Sequence, residues 1–299
     1  MKMRPKLSAF ALVCGLTLCA TAKATPTDCA SLSGMFETAA GYTLTSQPLG
    51  EADGWCIFDR AVLKGAGPDQ PDISIKRLRI RGTEADGVPT SVEIDIAGLK
   101  VTPKITDTTT DDRLRSLFRL QTADFRLSAM RNETEDRLEF RDGMLRLSGG
   151  TEVEFSANLD RAQLTVGSVL TGALTSLDLK WQNDGRLLRP ALEAAGAALV
   201  ADAKGSAAVD AAREGLMTLV AALPAERMEG ESADEIEKLI SAMPQGRGRL
   251  TLNFFSERGI GATELALYAM SEDPKSPSAL ARLLANSTVK VDWQPGLSQ

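Results

Sequence analysis

The stretch Ser91-Val92-Glu93-Ile94-Asp95-Ile96-Ala97-Gly98-Leu99-Lys100-Val101 alternates apolar with charged residues, loses the phase at Ala97-Gly98 and then resumes it. A period of two marks a strand with one greasy face and one wet face, and glycine at the slip predicts a β-bulge. Ile73 and Ile75 precede Leu78 and Ile80 with a similar slip at Lys76-Arg77. The pattern continues through Phe118 and Leu120, Phe125 and Leu127, Leu138 and Phe140, Leu145 and Leu147, then Val153, Phe155 and Leu159. Polar positions between them carry Arg, Glu and Asp, the signature of an antiparallel sheet wetted on one side. Asp53-Gly54, Asp86-Gly87 and Asp142-Gly143 supply the positive φ that tight turns require, and each is read as a turn, the last as a hairpin between Phe140 and Leu145.

After Leu177, Leu179 and Trp181 alanine becomes dominant and β-branched residues thin out, which predicts helices from about Arg186 to Met243. Pro190 starts or kinks the first, Gly205-Ser206 separates it from a second, and Pro224 ends that one. Ser232 and Glu235 have the spacing of a capping box, with Pro244 beyond the end of the helix. Strand character returns at Leu250, Leu252 and Phe254 and again at Leu265 and Leu267, with a turn near Arg258-Gly259. Ser276-Pro277 opens a short helix, and Val289, Val291 and Trp293 share one face of a last strand. The fold class is therefore α+β, a long and mainly antiparallel sheet with a helical subdomain packed on or beside it. Residues 25–182 form the β-rich part and 183–299 the helical subdomain with its closing strands, as two units or one continuous domain.

Lys2, Arg4 and Lys6 precede an apolar run from Leu7 to Ala20 that ends in Ala22-Lys23-Ala24. This is the layout of a secretory signal peptide cleaved after Ala24, and the run is short for a membrane anchor. Cleavage removes Lys2, Arg4, Lys6 and Lys23 and no acid, so the formal charge of −6 falls by four to −10. Such a body lacks the basic footprint that nucleic acid requires. Cys14 and Cys19 leave with the signal, and Cys29 and Cys56 are then the expected disulfide of an exported protein. The chain has no histidine. Ser-His-Asp and Cys-His catalysis are thereby excluded, and no phosphate loop, dinucleotide fingerprint or nucleophile elbow is present. Gly246-Arg247-Gly248 precedes a strand where an anion loop would precede a helix.

Asp107, Asp111 and Asp112 cluster with threonines as calcium ligands can, but in no calcium-loop spacing, so a solvated linker is the better reading. Glu133, Glu135 and Asp136 form a second acidic knot, read as a polar hairpin tip in preference to a hydrolase pair. Trp55, Trp181 and Trp293, with Tyr42 and Tyr268, are read as core or half-buried face residues in preference to a ligand groove, Trp181 and Trp293 because they keep the apolar phase of their strands. Arg77, Arg79, Arg81, Arg137, Arg141 and Arg146 are placed on the outer face, paired across strands with acids such as Glu139, Glu152 and Glu154. No metal or other cofactor is expected.

The segment from Leu177-Asp178-Leu179-Lys180-Trp181-Gln182-Asn183-Asp184-Gly185 to Thr288-Val289-Lys290-Val291-Asp292-Trp293 resembles uncharacterised exported proteins of Gram-negative bacteria. In those a strand ending in Asp-Gly leads into helices, a β segment, a short leucine-bearing helix and a final strand. The repeated one-face-apolar strands are similar to those of AsmA-type envelope proteins with a β-groove. The function expected is that of a periplasmic, non-catalytic protein that binds a ligand or scaffolds an envelope assembly, with an envelope protein or a lipid as its partner. The alternatives are a hydrophobic-ligand carrier, which needs the apolar face left open, and, behind it, a carboxylate-dependent hydrolase.

Overall fold

A computed structural model describes residues 42–45, 50–67, 70–85, 88–102, 121–164, 166–185, 188–200, 202–270 and 277–296. Among the described residues eleven strands form one sheet: β1 (Tyr42–Leu44), β2 (Gly50–Ala52), β3 (Trp55–Gly65), β4 (Asp72–Ala85), β5 (Val88–Thr102), β6 (Ala123–Asn132), β7 (Arg137–Leu147), β8 (Glu152–Asp160), β9 (Ala173–Asn183), β10 (Gly248–Ile260) and β11 (Ser287–Pro295). From β3 to β11 every strand pairs antiparallel with the next in sequence, while β1 and β2 share the outer edge of β3. The helices are α1 (Val166–Thr171), α2 (Leu188–Leu199), α3 (Ser206–Ala221), α4 (Ser232–Ala242), α5 (Ala262–Ala269) and α6 (Pro277–Leu283), with a 3₁₀ turn at Ala225–Arg227. The α+β class follows directly, and β9 joins the two predicted regions by pairing with both β8 and β10.

Register converts the alternation of the sequence into rows. Phe58, Leu78, Ile96, Phe125 and Leu145 lie opposite one another on β3 to β7, and Val153, Trp181, Leu250 and Trp293 continue the same row to β11. One row of nine apolar side chains thus crosses the sheet perpendicular to its strands. Its N-terminal members are fully buried, and together with Ile73, Ile75, Ile80, Ile94 and Leu127 they form the main core. The phase slips are aligned as well. Arg60 (φ 52°), Lys76 and Gly98 (φ 66°) occupy equivalent register positions, so three strands change face together; the extra residue is absorbed at the bulge between β5 and β6, where the Gly98 N–H donates to the Asp124 carboxylate at 2.8 Å.

Asp53-Gly54 forms the predicted turn, closing the β2–β3 hairpin, both residues at positive φ, with Ala52 opposite Trp55. Asp86-Gly87 lies outside the described residues, between the paired Ala85 and Val88. Asp142-Gly143 is not a hairpin. β7 runs through it, and the positive φ of Asp142 (52°) forms a bulge that shifts the register against both β6 and β8. The physical reason is space. A Cβ on Gly143 would sit 2.6 Å from the Phe155 ring, so glycine is needed to let that ring lie across the strand.

The helices follow their punctuation, with Pro190 in the first turn of α2, Gly205 at the N-cap of α3 and α3 ending before Pro224. α2 and α3 touch at Gly196, where a Cβ would meet the Ala208 carbonyl oxygen at 1.7 Å, and enclose Leu192, Val209 and Ala212. Three expectations fail beyond β9. β10 continues through Arg258-Gly259 to Ile260, and Leu265 and Leu267 lie on helix α5, because the Gly261 N–H donates to the Glu264 carboxylate (2.9 Å) and starts a helix. Ser232 does not cap α4. Its hydroxyl donates to the Glu229 carbonyl and accepts the Val291 N–H at 2.9 Å. With the Glu229 N–H on the Val289 carbonyl (2.9 Å) and the Trp293 backbone bonded to the Glu235 side chain, residues 229, 232 and 235 satisfy alternate peptides along the outer edge of β11.

Replacing Gly143 by valine is expected to destabilise the protein by about 1–3 kcal/mol, the usual cost of overpacking. Adding Phe155→Leu should recover part of that loss, as read from the urea midpoints of the two variants and the double variant.

Candidate functional site

The two faces of the sheet have different chemistry. On the outer face the arginine row is paired throughout: Arg77 with Asp59 (3.1 Å), Arg79 with Asp95, Arg81 with Glu93 (2.7 Å), Arg137 with Asp160 (2.9 Å) and Arg146 with Glu152 (3.0 Å). Arg141 takes Glu139 from its own strand, and Glu154 takes Lys180 at 3.9 Å. Cross-strand pairing is thus the rule, with Asp59, Asp95, Glu93 and Asp160 as the partners that the sequence did not single out. Each exposed pair contributes at most about 1 kcal/mol, so this face sets register and solubility more than it sets stability. Trp55 joins the same system. The Arg79 and Arg81 guanidinium groups lie 5.1 and 4.5 Å from its ring centroid, within cation–π range.

The acidic knot at Glu133, Glu135 and Asp136 is the exposed β6–β7 turn, where Arg137 reaches Glu135 at 2.8 Å. Asp107, Asp111 and Asp112 lie outside the described residues, as does Cys29; Cys56 is buried in β3. Among the described residues no group of three Cys, Asp or Glu side chains converges as a metal site requires, and no helix is long and apolar enough to cross a membrane.

The inner face changes along its length. Over β3 to β6 the apolar rows are closed, with Phe58, Leu78, Ile96 and Phe125 no more than 5% exposed. At the far end Val291 and Trp293 of β11 are buried, and α4 lines that strand. Between these ends, Phe155 on β8, Leu179 and Trp181 on β9, and Leu252 and Phe254 on β10 are each only half-buried. Trp181 and Trp293 thus keep the predicted apolar phase, and Tyr42 is buried at the other edge. With neighbouring strands about 4.8 Å apart, the half-covered strip from β7 to β10 is ~14 Å wide. Its rows are lined by aliphatic and aromatic carbon.

A second apolar feature was not anticipated. Helix α5 has no buried residue, and Leu265 (51% exposed), Leu267 (66%) and the following Met270 (81%) project from it. The alternation of Leu265 and Leu267 had suggested a strand, which concealed this patch. A cleft of about 220 Å³ between α5 and α6 is lined by Leu267, Tyr268, Ala279 and Leu283, with Glu264 and Arg282 at its polar side.

No protein-family model matches the chain, and no curated protein does.

Two carboxylates are held ionised. Hydrogen bonding from Asn132 and then Arg141 keeps Glu139 below the ordinary value of 4.5 against the opposing effect of burial, and the Lys238 ammonium does the same for Glu235, which also bonds the Trp293 backbone. A group whose folded value is depressed stabilises the fold above its unfolded value and loses that contribution as pH falls through the folded one. Thermal unfolding midpoints are therefore expected to fall as pH drops below about 4.5, and Glu139→Gln should flatten the decline, measured by circular dichroism across that range.

Proposed function

We propose that the protein is an exported, non-catalytic binding protein of the cell envelope that takes a hydrophobic ligand on the strip formed by β7 to β10. The observation that carries this reading is the change of cover along one apolar row. The same face is sealed over β3 to β6 and half-open from Phe155 to Phe254, and an apolar surface left partly in water is characteristic of a ligand or partner site. Export is supported by the basic, apolar and small-residue order of residues 2–24, and it places Cys29 and Cys56 where a disulfide persists. The absence of histidine from the sequence and the pairing of the arginines on the outer face agree with binding in preference to catalysis. AsmA-type envelope proteins, to which the repeated one-face-apolar strands are similar, offer the same kind of groove.

A second reading, an envelope scaffold, is favoured by a separate observation. Leu265 and Leu267 on α5, with Met270 just beyond it, are exposed and suit contact with another protein.

Native mass spectrometry of protein recovered from the envelope fraction without detergent is expected to show a co-purifying lipid-sized adduct, reduced in a Leu179→Asp variant that still unfolds cooperatively. Absence of any adduct, before and after incubation with long-chain lipid, would remove the strip from consideration. Intact mass of the same material should begin at Thr25 and be lighter by one pair of hydrogens for the Cys29–Cys56 bridge, and a retained leader would contradict export.

A further inference from the structure

Arg131 breaks the rule that basic residues of this sheet face outward. On β6 it follows Phe125, Leu127 and Ala129 in the inward phase, and its register partner on β7 is the fully buried Leu138. Its side chain is only 20% exposed, and among the described strands no other basic residue combines that phase with burial. Its carboxylate neighbour is Asp136 in the exposed turn, 3.7 Å from Nη2, too long for a hydrogen bond. Nε is buried and has no hydrogen-bond partner. Every outer-face arginine described above is held by an acid at closer range.

A guanidinium withdrawn from water without a matching anion is costly, and its planar fork is suited to a carboxylate or phosphate bound through two parallel N–H groups. The surroundings of Arg131 set the rest of the ligand. Its own row continues into Leu138, Leu159 and Leu174, and the adjacent row runs from Ala129 through Phe140, Ala157 and Leu177 to Phe254. One cation therefore stands beside carbon rows that cross four strands, sealed next to it where Ala129 and Leu138 pack with Ala162 and Leu164, and partly open from Phe140 to Phe254.

From this juxtaposition we infer that the ligand of the strip is an anionic amphiphile, with its acidic head on Arg131 and its chain laid over β7 to β10. The inference rests on the strip being a ligand surface and adds the charge of the ligand and its orientation.

The test measures binding of hexadecanoate, hexadecyl phosphate and uncharged hexadecanol to the mature protein, to Arg131→Met, to Arg131→Lys and to Arg126→Met, whose arginine is on the outer face opposite Asp95. The expected result is a preference of about tenfold or more for an acid over the alcohol, lost in Arg131→Met with alcohol binding unchanged, partly kept in Arg131→Lys and intact in Arg126→Met. Whichever acid binds more tightly identifies the head as carboxylate or phosphate. The thermal midpoint of Arg131→Met should hold or rise, since a largely buried guanidinium whose nearest acid is out of hydrogen-bond reach is removed; a fall with the preference retained would mark Arg131 as structural and overturn the inference. Equal binding of acid and alcohol to the unaltered protein would overturn it too, while leaving the strip as a neutral hydrophobic site. Failure of all three probes to bind would overturn both the inference and the reading on which it rests.

Discussion

The constraint on which the molecule depends is the register of one apolar row, from Phe58 on β3 to Trp293 on β11. In a sheet with a two-residue side-chain period, a slip of one residue between any two strands would turn everything beyond it to the wrong face. The chain slips phase several times, and each slip is matched. Arg60, Lys76 and Gly98 shift in step, the bulge at Ala97-Gly98 absorbs the extra residue, and the bulge at Asp142-Gly143 does the same for β7. Charged pairs on the outer face read the same register from the other side, so an error in pairing would oppose like charges as well as expose carbon.

A sheet this long must also manage its edges, where unpaired peptide groups invite another chain. At one edge the work is divided between two three-residue strands, β1 and β2, laid end to end against β3. At the other, Glu229, Ser232 and Glu235 occupy alternate peptides of β11 while α4 lies along it. The helical subdomain thus ends the sheet more than it covers it. That division of labour leaves the middle of the inner face, β7 to β10, less enclosed than either end.

Much of this was legible in the sequence because alternation is a local signal. The strands around Ile73, Ile94, Phe125, Val153 and Val289, the helices between Arg186 and Met243 and the outward placement of the arginines all follow from spacing alone. The misreadings share a cause. Asp142-Gly143 and Arg258-Gly259 have the local chemistry of turns, yet Phe155 and Ala173 press against their glycines, and packing kept both inside strands. Ser232 and Glu235 have the spacing of a capping box, but the peptides of β11, far along the chain, recruit them instead. Leu265 and Leu267 alternate like a strand, yet no partner lies beside them, and the Glu264 carboxylate on the Gly261 N–H starts a helix. Arg131 was visible in principle, since Phe125-x-Leu127-x-Ala129-x-Arg131 keeps one phase to the end. Its significance depends on burial, which spacing does not report.

The nearest-neighbour order of β3 to β11 has a bearing on how such a chain is built. From β3 to β11 each described strand finds its partner in the next, so each new hairpin can dock on an edge already in place. A polypeptide emerging N-terminus first could be laid down like courses of brick, its growing edge exposed until the last strand arrives and residues 229–235, made earlier, bond its outer side.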